Sequence, residues 1–161
     1  MKIGWKWSQM LLHLCDMRAV IQRVEKANVK VGENIVAEIG HGFLVLLAIH
    51  KEDKEDSIKK LADKIIKLRV FEDKEGKMNK SLEDKNGSVL VVSQFTLYGD
   101  TSRGRRPSFI ESARPEMARD YYEKFCKYLK EKGINTQNGI FQESMKVSLT
   151  NDGPTTIIID I

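Results

Sequence analysis

The sequence predicts an α+β domain, rich in strands and carrying two helices, on three observations. Its N- and C-terminal thirds alternate apolar and polar residues with period two, as half-buried strands do. Two continuous apolar runs, Phe43–Ile49 and Val89–Val92, have the composition of strands covered on both faces. Two further segments, Ile58–Leu68 and Met117–Leu129, place their apolar residues at helical spacing.

Length and composition set the bounds. A chain of 161 residues is one domain by expectation, large enough to bury a core. Apolar residues at 41%, charged residues at 31% and only three prolines are ordinary for a globular protein and exclude a disordered chain. A net charge of +4 mildly favours a polyanionic partner without requiring one. Cys15 and Cys126 stand far apart with no Cys-x-x-Cys, so neither a disulfide framework nor a thiolate zinc site is indicated. His13, His41 and His50 form no spaced ligand set. No metal and no cofactor are expected, and the setting expected is reducing and cytoplasmic.

Taken in order, residues 1–16 differ from the rest. They hold both tryptophans, Trp5 and Trp7, and an apolar piece, Met10–Leu14, broken by His13. That piece is too short for a membrane span and lacks the features of a signal peptide. Residues 1–16 read as an N-terminal extension and 17–161 as the domain. From Arg18 to Ile39 the pattern predicts two strands, turned by Gly32-Glu33-Asn34. Gly40-His41-Gly42 turns the chain into the run at Phe43. A charged loop, Lys51–Asp56, opens the first helix, whose stripe is Ile58, Leu61, Ala62, Ile65 and Leu68. Arg69–Glu72 is expected to resume the sheet, and Gly76–Gly87 to be a polar excursion.

The central strand Val89–Val92 leaves the Asn86-Gly87 turn and ends on Ser93, Gln94 and Thr96. Polar groups at the end of a strand anchored in the core are held on a rigid platform. The same hydroxyls also commonly bond nearby backbone, so a purely local role stays open. Arg103, Arg105 and Arg106 follow with no acid between them, either a phosphate-contacting loop or a solvated one. The second helix carries Met117, Ala118, Tyr121, Tyr122, Phe125 and Leu129 and stops near Gly133. Phe141, Met145, Val147 and Leu149 then alternate with polar residues as a strand, with Glu143 interrupting the apolar face. Asn151-Asp152-Gly153-Pro154 is expected to turn the chain into a final strand, Thr155–Ile161.

Four separated stretches together carry a resemblance: Met17-Arg18-Ala19-Val20-Ile21-Gln22-Arg23-Val24, Ser93-Gln94-Phe95-Thr96-Leu97, Arg103-Gly104-Arg105-Arg106-Pro107-Ser108-Phe109, and Asn151-Asp152-Gly153-Pro154-Thr155-Thr156. In these the chain, from Met17 to Ile161, resembles the D-aminoacyl-tRNA deacylase family. The resemblance implies a homodimer with a closed, barrel-like, mostly antiparallel sheet, two helices outside it, and active sites at the dimer interface. It implies hydrolysis of the ester joining a D-amino acid, or glycine mischarged on alanine tRNA, to the 3′ end of tRNA, with no membrane or DNA partner.

Ser93, Gln94, Phe95 and Thr96 would line the catalytic pocket. Gly153 and Pro154, in the cis form, would enter it from the partner protomer. They would aim two backbone carbonyls at the substrate's α-carbon, one of them accepting from its α-ammonium, and an L side chain would collide with the same backbone. Met145 would pack on the terminal adenine, and Arg103, Arg105 and Arg106 would meet tRNA. The chain departs from the family where Gln142 and Glu143 replace a usual glycine and alanine, and where Thr155-Thr156 replaces valine-threonine. No serine–histidine–acid triad or Gly-x-Ser-x-Gly elbow is visible. Thr96 is the one plausible side-chain nucleophile, and no neighbouring residue in sequence would deprotonate it. Activation of water by the neighbouring ribose hydroxyl is therefore expected. The alternatives are a non-catalytic tRNA-binding module, a general small-ester hydrolase and a deacylase of relaxed chirality.

Overall fold

Strand β1, Arg18–Val31, has three pairing partners, Asn34–Ile39, Gly42–Ala48 and Met145–Asp160, and the rest of the sheet assembles on it. A computed structural model describes residues 17–161; the extension expected over residues 1–16 lies outside the described residues. Gly32, at φ +58°, turns β1 into β2, Asn34–Ile39, which pairs with it antiparallel. Strand β3, Gly42–Ala48, pairs antiparallel with the first half of β1 and parallel with β6, Ser88–Ser93. Gly42 sits at φ +153° where a Cβ would overlap the Ser88 backbone, so only glycine lets these strands meet.

The two expected helices form. Helix α1, Glu55–Ile66, and helix α2, Pro115–Glu131, pack on one face of the sheet. Ile21, Phe43, Val45, Leu47 and Val89 meet Leu61, Ile65, Phe125 and Leu129 there, all essentially buried. Burying each of these side chains contributes about 1.5–3 kcal/mol. The other face curls on itself around a second core of Val24, Ala27, Val29, Ala37, Leu44, Leu90 and Val92. Phe43–Ile49 and Val89–Val92 therefore face two cores at once, which is why both are apolar throughout.

Several expectations are corrected. The sheet is mostly antiparallel, as expected, yet mixed, because β6 pairs parallel with β3 and with Thr136–Asn138, and the barrel is nearly closed rather than closed. Leu68 lies past the end of α1 and is only half-buried. Phe71–Glu72 (β4) does not rejoin the main sheet; it pairs with Met78–Lys80 (β5) in a separate hairpin that leads into the polar excursion. Thr136–Asn138 is a short strand, β7, beside β6. Phe141 does not begin the following strand: β8 runs from Met145 to Asp160, and Gln142 before it is left-handed at φ +65°.

The expected turn at Asn151–Pro154 is instead a register shift within β8, which stays paired with β1 on both sides of it. Asn151 holds the displaced chain: its carbonyl oxygen accepts from the Thr155 amide at 3.1 Å, and its amide donates to the Thr156 hydroxyl at 3.1 Å. No described helix is long and apolar enough to cross a membrane.

Candidate active site

Strand β7 is shorter than the strand it covers. It pairs with β6 only as far as Val91, and the last backbone bond on that side runs from the Gly139 amide to the Val91 carbonyl at 3.0 Å. Beyond it the edge of β6 at Val92 and Ser93 is uncovered, and a cleft of about 610 Å³ opens there. Ser93, Gln94 and Phe95 line one side of the cleft, and Phe141, Gln142, Glu143, Met145 and Val147 line the other. Phe109, Ala113 and Ala118 add apolar lining between them.

The Gln94 amide donates to the Leu47 carbonyl at 2.8 Å, the last tie to β3. The chain then tightens into a short 3-10 turn, Phe95–Tyr98, closed by the Leu97 amide on the Gln94 carbonyl at 3.2 Å. The first amides of such a turn have no acceptor within it, which leaves the N–H groups of Phe95 and Thr96 for another partner. The Gln94 carboxamide N–H donates to the Thr96 hydroxyl. A carboxamide N–H cannot remove a proton, so this contact orients the Thr96 hydroxyl without activating it. Phe95 is exposed and meets the Phe109 ring edge-on at 5.1 Å between centroids.

Ser93, Gln94, Phe95 and Met145 thus meet at one cleft, with Thr96 beside them through its bond to Gln94. The other expected residues lie elsewhere. Arg103, Arg105 and Arg106 are exposed on a loop pinned by the Asp100 and Ser108 backbones, at 2.8 and 2.9 Å. The Ser102 amide on Asp100 holds that carboxyl below its ordinary range and shapes the start of the loop. Gly153 and Pro154 are exposed at the register shift of β8, outside the cleft of their own chain, and the bond between them is cis.

Gly153 has φ +124°, and a Cβ there would lie 2.6 Å from the Thr155 hydroxyl and 3.0 Å from Arg23. Arg23 itself is buried. It donates to the Asp152 carbonyl at 3.2 Å and the Val70 carbonyl at 2.6 Å, and its Nε lies 3.2 Å from the Asp152 carboxylate. The sequence reading assigned Arg23 no role, although the signal was present: it shares the inward parity of Ala19 and Ile21, where a charge needs a buried partner.

A second unforeseen group supports the wall carrying Phe109. His50 is fully buried; its Nδ1 accepts from the Glu52 amide at 3.1 Å, which leaves Nε2 to donate to Glu111 at 3.1 Å. Lys51 bonds the other Glu111 oxygen at 2.9 Å, and these two contacts, Lys51 first, hold the Glu111 carboxyl below its ordinary range. Burial pushes the neighbouring Tyr98 phenol upward, so it remains a neutral hydroxyl.

The family model for D-Tyr-tRNA(Tyr) deacylase matches residues 20–160. A D-aminoacyl-tRNA deacylase of Dictyoglomus turgidum is 56% identical over 144 residues, covering 89% of this chain and 92% of that one. One from Thermus aquaticus is 56% identical over 144 residues, covering 89% and 95%. Among solved structures, one titled c-Myc DNA Unwinding Element Binding Protein superposes with a TM-score of 0.83 at 39% identity, covering 88% of this chain and 97% of that one. A probable eukaryotic D-amino acid tRNA deacylase superposes at 0.79 with 18% identity, covering 91% and 100%, a likeness of fold.

Proposed function

This chain belongs to the D-Tyr-tRNA(Tyr) deacylase family and is a hydrolase of the D-aminoacyl-tRNA ester, and from that premise we propose that the ester is cut in the cleft beside Ser93–Thr96. The observation that carries this reading is the uncovered end of β6, where a polar strand end meets an apolar cleft with free amides beside it.

Water attacks the ester carbonyl, and the negative charge that develops on its oxygen is met by the amides of Phe95 and Thr96 and by the Gln94 carboxamide. Collapse of the tetrahedral intermediate breaks the bond to the ribose 3′ oxygen, which leaves as a protonated hydroxyl. The adjacent ribose hydroxyl of the substrate assists the water. The contact between Gln94 and Thr96 supports this route, because it supplies Thr96 with no base. Met145 packs on the terminal adenine, while Arg103, Arg105 and Arg106 meet phosphates further along the RNA.

The working enzyme is a homodimer, in which the exposed Gly153–Pro154 segment of one protomer enters the cleft of the other. Arg23 and Asn151 keep that segment in place. Its backbone excludes L side chains by collision and leaves room for D side chains and for glycine, so glycyl-tRNA is a further substrate. The reaction belongs to the cytoplasm, where charged tRNA is used, and DNA is no substrate because it lacks the 2′ hydroxyl.

Matched D- and L-tyrosyl-tRNA test the reading. Purified protein should release D-tyrosine without added metal and leave the L ester largely intact. Equal rates on the two enantiomers would overturn the collision argument, and loss of turnover with a chelator would overturn the metal-free route.

A further inference from the structure

Arg119 lies on α2 behind the cleft wall that carries Phe141 and Gln142, and its partners are unusual for an exposed arginine. Its guanidinium stands over the Phe141 ring at 5.0 Å from the centroid. Its Nη2 donates to the Gln142 side-chain oxygen at 3.0 Å. Neither partner carries a charge. Among the described residues no carboxylate forms an ion pair with Arg119 within 4.0 Å, and its sequence neighbour Asp120 is engaged by Lys124 at 2.9 Å. Arg18 and Arg23, by contrast, are each met by a carboxylate, Asp160 and Asp152.

An arginine fixed by a ring and a neutral amide keeps its full positive charge while losing much of its rotamer freedom before any ligand arrives. Gln142 reinforces the point. Its backbone is held at φ +65°, a region glycine enters freely and glutamine rarely does. The side chain at that unusual position is the one that orients Arg119.

The geometry points to Arg119 as a preset phosphate-binding residue, which takes a phosphodiester of the single-stranded 3′ end of the substrate RNA as that end passes the Phe141–Gln142 wall into the cleft. This rests on the deacylase reading for the identity of the RNA. It is separate from the arginine loop, since Arg103, Arg105 and Arg106 lie on a different element. A planar guanidinium, anchored along one edge, still presents donors that can grip two phosphate oxygens together.

Binding of uncharged tRNA, followed by fluorescence anisotropy across a series of KCl concentrations, separates this role from simple support of the wall. Each phosphate contact to a single strand contributes about 0.7 to the slope of log K against log salt. Arg119→Gln should reduce that slope by about 0.7 and weaken binding about tenfold near physiological salt. Arg119→Lys should keep the slope and recover only part of the affinity, since it retains charge but not the planar grip. Gln142→Gly should also keep the slope while weakening binding. An Arg119→Gln slope equal to wild type overturns the proposal, whatever happens to affinity, because loosening the wall moves no counterions. Turnover of D-tyrosyl-tRNA by the wild-type protein is measured alongside. A slope change without any turnover would sink the deacylase reading and leave the phosphate contact standing.

Discussion

At the scale of single residues the catalytic question turns on which atom near Thr96 can accept a proton. The Thr96 hydroxyl faces a carboxamide donor, so its removal should matter less than removal of the donor itself. Thr96→Ala leaves the backbone amides of Phe95 and Thr96 in place and should keep turnover within about tenfold of wild type, roughly 1.4 kcal/mol of barrier. Gln94→Ala removes a proposed oxyanion donor and should lower kcat by about 10²- to 10³-fold. Collapse of Thr96→Ala to background would mean that Thr96 attacks the ester. The stretch Ser93–Thr96, proposed to act on the ester, stood out in the sequence because it follows an apolar strand, whose end is fixed by the core. Arg23 and His50 were harder to read, because their partners are Val70, Asp152 and Glu111, far away in sequence. One-dimensional spacing does not display a contact made by folding.

Between residues and the whole fold, the elements explain where a linear reading held and where it failed. Period-two patterning placed β1 and β2, continuous apolar runs placed β3 and β6, and helical spacing placed α1 and α2. Strand β7 escaped because three residues, Thr-Gln-Asn, have no apolar face to show, and backbone bonds to β6 alone define it. The segment at Asn151–Pro154 read as a turn because its composition is that of one, yet pairing to β1 on both sides keeps it within a strand.

A pH dependence belongs at this scale. The clip of Lys51, His50 and Glu111 joins the end of β3 to the segment carrying Phe109. The folded Glu111 carboxyl lies below its ordinary value of 4.5, so the clip's contribution is present above that value and is lost as pH falls through the lower folded one. Tertiary signals of residues 109–113 followed by NMR should therefore loosen in acid before the helices do. Glu111→Gln should already show that loosened state at neutral pH and remove the acid step. An unchanged acid limb in Glu111→Gln would show that the clip does not govern this wall.

For the whole molecule, the separation of the cleft from Gly153–Pro154 within one chain is the central fact, since the chain does not join the cleft to the segment proposed to serve it. Complementation tests whether two copies do so. Gly153→Ala places a methyl group against Thr155 and Arg23 at a left-handed position and should inactivate the clamp, while Gln94→Ala inactivates the cleft. Subunit exchange between the two inactive variants should restore activity, because each mixed dimer regains one site with both parts intact. A mixture that stays as inactive as its parents would place clamp and cleft in one protomer. The mixed, nearly closed sheet could not be foretold from the strands alone, because strand order is decided by long-range pairing rather than by local pattern.

The register shift in β8 has a consequence beyond chirality. Among the described residues β8 pairs with β1 alone, which leaves one flank of a sixteen-residue strand open. A long open flank is a template on which other chains can stack into fibrils. Pro154 supplies no N–H to such a stack, and the displaced backbone around it breaks the even spacing that a stacking neighbour would need. A flank interrupted in this way is a poorer template for stacking, so substitutions at Pro154 should raise the tendency to aggregate, and light scattering beside the activity assay would tell that apart from lost catalysis.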